Sequence, residues 1–277
     1  MLKKKKWLIG GLLLAALLLI LVGFGLDNRL QATNYDIEDG RIPASFDGYR
    51  IAQLSDFHCL WFGEGQNELI AGVRAGEPDI IVLTGDMIDA SIRDYDSVAA
   101  LFDGLTEIAP VYAVAGNHEE SIPGARMRDL YIEYGINYLK DTGTELLKDG
   151  GSIYLYGLRD RPYNDELAAA AAGMPVIGPQ TYGILLYHRS DKFEYLNRQG
   201  YGLVLSGHLH GGLIRLPFIG GILSPEGGII FGQKYTGGMY TVGGTTLISN
   251  RGLADSHNIP RIFNRPEIVF VTLRHAG

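Results

Sequence analysis

Short apolar runs alternate along the chain with polar or glycine-rich breaks. Six of these runs share one form: YRIAQLSD (49–56), IIVLTGD (80–86), VYAVAGN (111–117), SIYLYGL (152–158), YGILLYH (182–188) and YGLVLSGH (201–208). Each is rich in β-branched or aromatic residues and ends in a polar residue or glycine. Apolar runs of this length, bounded by breakers, predict strands buried on both faces. Between them the pattern becomes helical over Asn67–Ala75, Asp94–Ile108, Gly124–Tyr134 and Asp191–Gln199. The run Leu167–Ala172 predicts a short surface helix ending at Gly173, because alanine favours helix. Strands alternating with helices predict an α/β sheet with right-handed crossovers. The last third, 228–250 and 267–274, is glycine-rich and strand-like, and predicts hairpins that complete a second sheet. The expected fold class is α/β: two packed mixed sheets flanked by helices, a four-layer α-β-β-α sandwich.

The first 26 residues break this pattern. Lys3, Lys4, Lys5 and Lys6 precede an uncharged run from Trp7 to Leu26. About 20 apolar residues in a helix span a hydrocarbon core of about 30 Å. A secretory signal has a shorter apolar region and a small-residue cleavage site, and Gly25-Leu26-Asp27-Asn28 offers a poor one. The run therefore predicts an uncleaved N-terminal transmembrane helix. The lysines would keep the N-terminus cytoplasmic, making a single-pass protein of the cell membrane with its catalytic domain extracytoplasmic. Residues 27–48 read as a polar stalk and a first edge strand near Thr33–Glu38, and residues 49–277 as the main domain.

Charge narrows the partners. Four of the 24 Lys and Arg residues lie in the first six positions and no acid precedes Asp27, so the remainder sets 20 basic against 31 acidic groups. A surface with that balance lacks the basic footprint of a nucleic-acid binder. One cysteine, Cys59, excludes an intramolecular disulfide.

The candidate chemistry lies at the strand ends. Of seven histidines, five sit at or just past the end of a predicted strand: His58, His118, His188, His208 and His210. They are joined by Asp56, by Asp86 with Asp89 three residues on, and by Asn117. Ligands of open α/β sheets bind at the carboxyl ends of strands. Oxygen and nitrogen donors without thiolate suit manganese, iron or zinc in a working site better than a structural zinc. This many ligands exceeds what one ion takes, which implies two divalent transition-metal ions (Mn2+, Fe2+/Fe3+ or Zn2+).

In this order, D-x-H, GD-x-x-D, GNH-E, a lone strand-end histidine and GH-x-H resemble the calcineurin-like metallophosphoesterase superfamily over roughly residues 48–275. The tail, KYTGGMYTVGGTTLISNRGL (234–253) with NRPEIVFVTL (264–273), is similar to its membrane-associated bacterial branch of UDP-2,3-diacylglucosamine pyrophosphatase-like and cell-wall-associated phosphoesterases. The resemblance implies that Asp56, His58 and His210 hold one metal and Asn117, His188 and His208 the other. It implies that Asp86 bridges both and that His118 acts catalytically on the leaving group. The implied activity is hydrolysis of a phosphomonoester, phosphodiester or pyrophosphate by metal-activated hydroxide, on a phosphorylated small-molecule or lipid-linked substrate. A non-catalytic metal-dependent surface protein and a nuclease are the competing readings, and the acidic balance counts against the second.

Other positions keep two readings each. Asp89 either orients a site histidine or caps a helix. Glu119 and Glu120 read as solvent-facing or rim groups. Asp160 shapes a loop or joins the site. Arg251 reaches substrate phosphate or forms a plain salt bridge. Cys59 reads as a small residue near the site, outside the ligand set. His257 lies in a loop, 252–259, that would border a substrate pocket, and His275 reads as a surface residue. The apolar, glycine-broken stretch 216–223 forms either a hairpin packed on the core or an exposed lip that meets a membrane or a lipid tail.

Overall fold

The computed structural model describes residues 2–92, 94–122, 126–175, 177–216, 218–225, 228–229, 231–255 and 259–277. Two six-stranded mixed sheets face each other. The first has the order β1-β14-β2-β3-β4-β5, built from β1 (Gln31–Asp39), β2 (Arg50–Leu54), β3 (Ile80–Leu83), β4 (Val111–Ala113), β5 (Asn137–Tyr138) and β14 (Glu267–His275). The second has the order β12-β13-β9-β8-β7-β6, built from β6 (Thr142–Lys148), β7 (Gly151–Gly157), β8 (Gly183–Arg189), β9 (Leu203–Gly207), β12 (Gly238–Val242) and β13 (Thr245–Ser249). A small separate hairpin pairs β10 (Arg215–Leu216) with β11 (Gly220–Gly221).

Side-chain alternation along each central strand sorts residues between faces. In β3, Ile80 and Val82 enter the core between the sheets, while Ile81 and Leu83 pack outward. That outer face is covered by α2 (Asn67–Arg74) and α3 (Asp96–Thr106) through Leu69, Val73, Leu101 and Phe102. In β8, Ile184 and Leu186 point between the sheets, and Leu185 and Tyr187 pack outward. There they meet Leu167 of α6 (Asn164–Ala172) and Phe193 and Leu196 of α7 (Phe193–Leu196). The layers are those expected from the pattern of buried runs.

Two expectations about elements need correction. β14 does not join a C-terminal hairpin in the second sheet. It inserts into the first, parallel to β1 and antiparallel to β2. Its run EIVFVTL is buried throughout, as a strand with two neighbours requires. The segment after β8 forms only the four-residue α7, preceded by a short 3-10 turn.

The N-terminal expectation is overturned. The run is helical, as α1 (Leu2–Gly25). Among the described residues, however, no helix is long and apolar enough to cross a membrane. The helix takes in the four lysines at its start, so its first turns are charged. The single-pass anchor, and the placement in the cell membrane with an extracytoplasmic domain that depended on it, are not supported.

Candidate metal centre

The parallel strands β2, β3, β4, β8 and β9 all run toward one rim, where the two sheets come together. Gln53, on the inward face of β2, donates to Thr84 Oγ1 at 3.1 Å and across to the Ser206 carbonyl at 2.9 Å. These bonds tie the ends of β2, β3 and β9 directly beneath the rim. Five residues at the rim adopt left-handed backbone: Asp56 (φ 52°), His58 (48°), Asp86 (54°), His208 (77°) and His210 (47°). This conformation is uncommon outside glycine and clusters where function over-determines the structure. Each sharp turn re-aims a donor into the gap between the sheets.

Glycine makes the close approach possible. A Cβ on Gly207 would collide with the Asp56 carboxylate and the Ser55 hydroxyl, and one on Gly116 with Asp86. The turn after β9 then has the room for both Asp56 oxygens to accept the His208 N–H, each at 3.1 Å. Asp86 Oδ1 accepts the His118 N–H at 2.9 Å.

The donor atoms converge at short range. His58 Nε2 and His210 Nε2 are 3.2 Å apart, and His210 Nε2 lies 3.4 Å from Asp56 Oδ1. His188 Nε2 lies 3.1 Å from Asp86 Oδ2 and 3.2 Å from Asn117 Oδ1. Asp86 Oδ2 also lies 3.8 Å from His58 Nε2, so this carboxylate stands between the two sets. Three overlapping donor groups result: Asp56-His58-His210, His58-Asp86-His118 and Asp86-His188-His208. Ligands bound to one cation at about 2.0–2.2 Å sit about 3 Å or slightly more from each other. The spacings match that geometry, so the residues fit the cations implied.

Electrostatics favours cations as well. Burial works against ionising Asp56 and Asp86, yet the rings of His210 and His188 hold both carboxylates well below their ordinary range. Burial pulls His188 down, but Asp86 and then Asp56 outweigh it and raise it to about 10. His58 is lowered to about 4, by burial first and by His210 second. His208 is pushed well down by burial, His188 and Arg189. Two ionised carboxylates thus lie among imidazoles of which two resist protonation.

A cavity of about 290 Å³ opens over the donors, lined by His58, Asp86, Asp89, Asn117, His118, His208 and His210 together with Leu60, Ile92 and Pro225. His118 sits at its wall, 28% exposed at the side chain. Its Nδ1 accepts the Ala90 N–H at 3.0 Å, so in the neutral ring the proton is on Nε2. Asp89 is buried; its Oδ1 accepts the Ser91 N–H and hydroxyl at 2.7 and 2.6 Å. Its carboxylate approaches His58 Nδ1 at 3.8 Å and His118 Nδ1 at 3.9 Å. The next long helix begins only at Asp96, so Asp89 caps a turn instead of a helix.

Several side residues resolve into one of their two readings. Arg251 pairs with Glu267 at 2.8 Å, the plain salt bridge. Asp160 is buried against Arg189, with Nε donating at 2.8 Å. Cys59 packs on the apolar cluster outside the first sheet and joins none of the donor groups among the described residues. His275 is exposed, as a surface residue should be, and its Nδ1 bonds the Ile42 carbonyl at 2.6 Å. His257 lies outside the described residues.

Glu119 is the clearest departure from expectation. It is buried, and its carboxylate accepts the N–H groups of Asp86, Met87, Ile88 and Gly116 at 2.8, 2.7, 3.2 and 2.8 Å. It therefore fixes the turn that carries Asp86. Burial and the nearby Asp86 charge push Glu119 up to about 7, against the pull of these donors. A sequence signal existed: Glu119 is the third residue after Gly116 at the start of α4 (Asn117–Ser121), the spacing of a capping box.

A two-sheet sandwich with paired oxygen and nitrogen donors at its strand ends defines a metal-dependent phosphoester hydrolase. The chain belongs to the calcineurin-like phosphoesterase family, which it matches over residues 49–212. It is 31% identical over 253 residues to the uncharacterized metallophosphoesterase YkuE of Bacillus subtilis (strain 168), covering 89% of this chain and 86% of the relative. It is 26% identical over 233 residues to the phosphodiesterase YaeI of Escherichia coli (strain K12), covering 81% and 82%.

Proposed function

We propose that the protein hydrolyses a phosphate ester or pyrophosphate at a two-cation centre. Asp56, His58 and His210 would hold one cation, Asn117, His188 and His208 the other, with Asp86 shared. The observation that carries this reading is the position of Asp86, buried between two donor sets and within 3.8 Å of His58 and 3.1 Å of His188. When bound, a pair of divalent cations supplies a water of lowered pKa and neutralises charge on the phosphoryl oxygens. The donor set, lacking thiolate, suits manganese, iron or zinc.

The chain's own groups complete the reaction. His118 presents an Nε2 proton to the cavity because Ala90 occupies its Nδ1. It donates a hydrogen bond from Nε2 to the departing oxygen as charge builds there. Leu60 and Ile92 in the cavity wall keep bulk water from the reacting atoms.

Elemental analysis of the purified chain, joined to turnover of phosphomonoester, phosphodiester and pyrophosphate substrates with added Mn2+, tests this. Two transition-metal equivalents and chelator-sensitive turnover are expected. A chain that binds no transition metal and turns over none of these substrates sinks the proposal.

A narrower reading of the substrate, one carrying an apolar tail, rests on the stretch 216–223. Its β10-β11 hairpin holds Phe218 fully in solvent and Ile219 about half exposed, with Ile229 and Phe231 also exposed nearby in sequence; Pro217 lies outside the described residues. Pro225, just beyond the hairpin, lines the cavity. An apolar group exposed this fully is a recognition surface more than a core element. Replacing Phe218 and Ile219 together by Asp is expected to lower kcat/KM about tenfold on a long-chain alkyl phosphate ester. Turnover of p-nitrophenyl phosphate should stay the same; equal loss on both substrates, or none, removes the tail from the reading.

A further inference from the structure

The histidines of the centre differ in what stands behind them. His188 Nδ1 lies 2.8 Å from the Thr84 carbonyl, and His210 Nδ1 lies 3.0 Å from the Ala254 carbonyl. A carbonyl only accepts. Each of these rings therefore keeps a proton on Nδ1 and turns Nε2 into the centre, the nitrogen that a cation would take.

His208 is different. Its Nε2 lies 2.9 Å from Arg189 Nη1. A guanidinium only donates, so Nε2 is the acceptor and the proton of the neutral ring is on Nδ1. Nδ1 is the nitrogen left to face a cation. To ligate there, the ring has to carry its proton on Nε2, and that proton would point at another donor. The bond to Arg189 and ligation by His208 thus exclude each other.

An alternative partner for Arg189 is already in place. Asp160 accepts from Arg189 Nε at 2.8 Å through Oδ1 and at 3.1 Å through Oδ2, leaving Nη1 to His208. A modest rotation into a two-pronged guanidinium-carboxylate fork would withdraw Nη1 from His208. The Asp160 side chain is 2% exposed and the Arg189 side chain 13%, so water competes poorly for either group.

We propose that Arg189 is a gate on the second cation site. It holds His208 in the tautomer that cannot ligate, and that cation enters only as Arg189 shifts from His208 onto Asp160. The inference rests on the two-cation reading above. The ring exchanges its Nδ1 proton for one on Nε2 through solvent, so His208 neither gains nor loses a proton overall. Arg189 acts here through His208, as a positioning residue. At the first site His210 is backed by an accepting carbonyl and faces no guanidinium, so the two cations load unequally.

Three forms of the full chain, stripped of metal, test the gate: wild type, Arg189→Met and Asp160→Asn. Each is titrated with Mn2+ by calorimetry and by electron paramagnetic resonance, which detects the spin-coupled pair only when both sites fill. Wild type is expected to fill its sites in sequence. Arg189→Met should tighten the second site about 10- to 100-fold, the range usual for partners behind a metal ligand. It should leave the first site nearly unchanged. Asp160→Asn should weaken the second site, because Arg189 loses the partner that draws it away. Nitrogen-15 spectra of histidine-labelled, metal-free protein give the tautomer directly: His208 protonated on Nδ1 in wild type and on Nε2 in Arg189→Met. Should Arg189→Met leave Asp160 too exposed to strain for folding, Arg189→Met with Asp160→Asn removes both charges and keeps the tautomer readout. An Nε2 proton on His208 in wild type, or equal second-site affinity in wild type and Arg189→Met, overturns the gate while leaving two cations bound. Failure of any form to take up a second equivalent strikes instead at the two-cation reading.

Discussion

His208 and His210 stand two residues apart in one turn, both in left-handed backbone and both buried, yet they are held in opposite ways. Behind His210 is the Ala254 carbonyl, an acceptor. That carbonyl is in turn fixed by Arg261, a guanidinium with 1% exposure that donates to Ala254 through Nε at 2.9 Å and to Arg251 through Nη2 at 2.7 Å. Behind His208 is Arg189, a donor. Spacing and residue type are equal for the two rings, so neither decides how ready each is to bind. The group behind the ring does. One half of the centre is preset for a cation and the other must rearrange.

The largest effect should come from the group both halves share. Asp86→Asn keeps the shape but removes the charge between the two donor sets. Turnover is expected to fall on the order of 10³-fold, the upper range for losing one preorganised electrostatic element. Mn2+ titration should show both sites weakened. If only the second site weakens, Asp86 is not shared and the two halves are independent.

Arg261→Met breaks the preset half. It leaves the carbonyls of Arg251 and Asn264 without that donor and leaves Ala254 with His210 alone. Unsatisfied buried acceptors cost about 1–3 kcal/mol each, so a loss of about 3 kcal/mol or more in urea unfolding is expected. Arg189→Met should cost less, since a lone Asp160 can take up a proton and a carbonyl cannot. Equal losses would erase the contrast between the halves.

His118 belongs to neither half, and its replacement should leave the comparison intact. His118→Asn is expected to keep two cations and to lose about 10²-fold in rate on substrates with poor leaving groups. With p-nitrophenyl phosphate, whose leaving group needs little protonation, the loss should be slight. Loss of a cation in this variant would make His118 a ligand, as its membership of a donor group with His58 and Asp86 allows.

What the sequence made legible follows from which features are local. The six strand runs carry their own signal, because burial on both faces forces an unbroken apolar stretch, and the donors sit at fixed offsets beyond them. The sheet that β14 joins is not local. EIVFVTL reads as a strand in either sheet, and only packing beside Arg50–Leu54 decides. The roles of Arg189 and Arg261 were likewise out of reach. Arg189 Nη1 meets a residue 19 positions away, and Arg261 works through backbone carbonyls, which no side-chain pattern encodes. At the N-terminus the uncharged run reads as a crossing, yet among the described residues no helix is long and apolar enough for one.

Glu119 offers the finest discrimination. It looked like a rim carboxylate because it follows a site motif in a charged pair with Glu120. Its burial and its four backbone donors instead make it the support of the Asp86 turn. Glu119→Gln preserves size and one acceptor oxygen, but sets an amide NH2 against N–H groups of the turn. The cost expected in urea unfolding is about 1–2 kcal/mol, a fraction of what leaving several buried donors unpaired would bring. The turn supports a residue standing between both donor sets, so its loosening should weaken the two Mn2+ sites by the same small factor. An effect confined to the second site would place Glu119 with His208 and Arg189. An effect confined to the first would place it with His210 and Arg261. Equal weakening means the two halves differ only in what lies behind their histidines, while the floor they share is common.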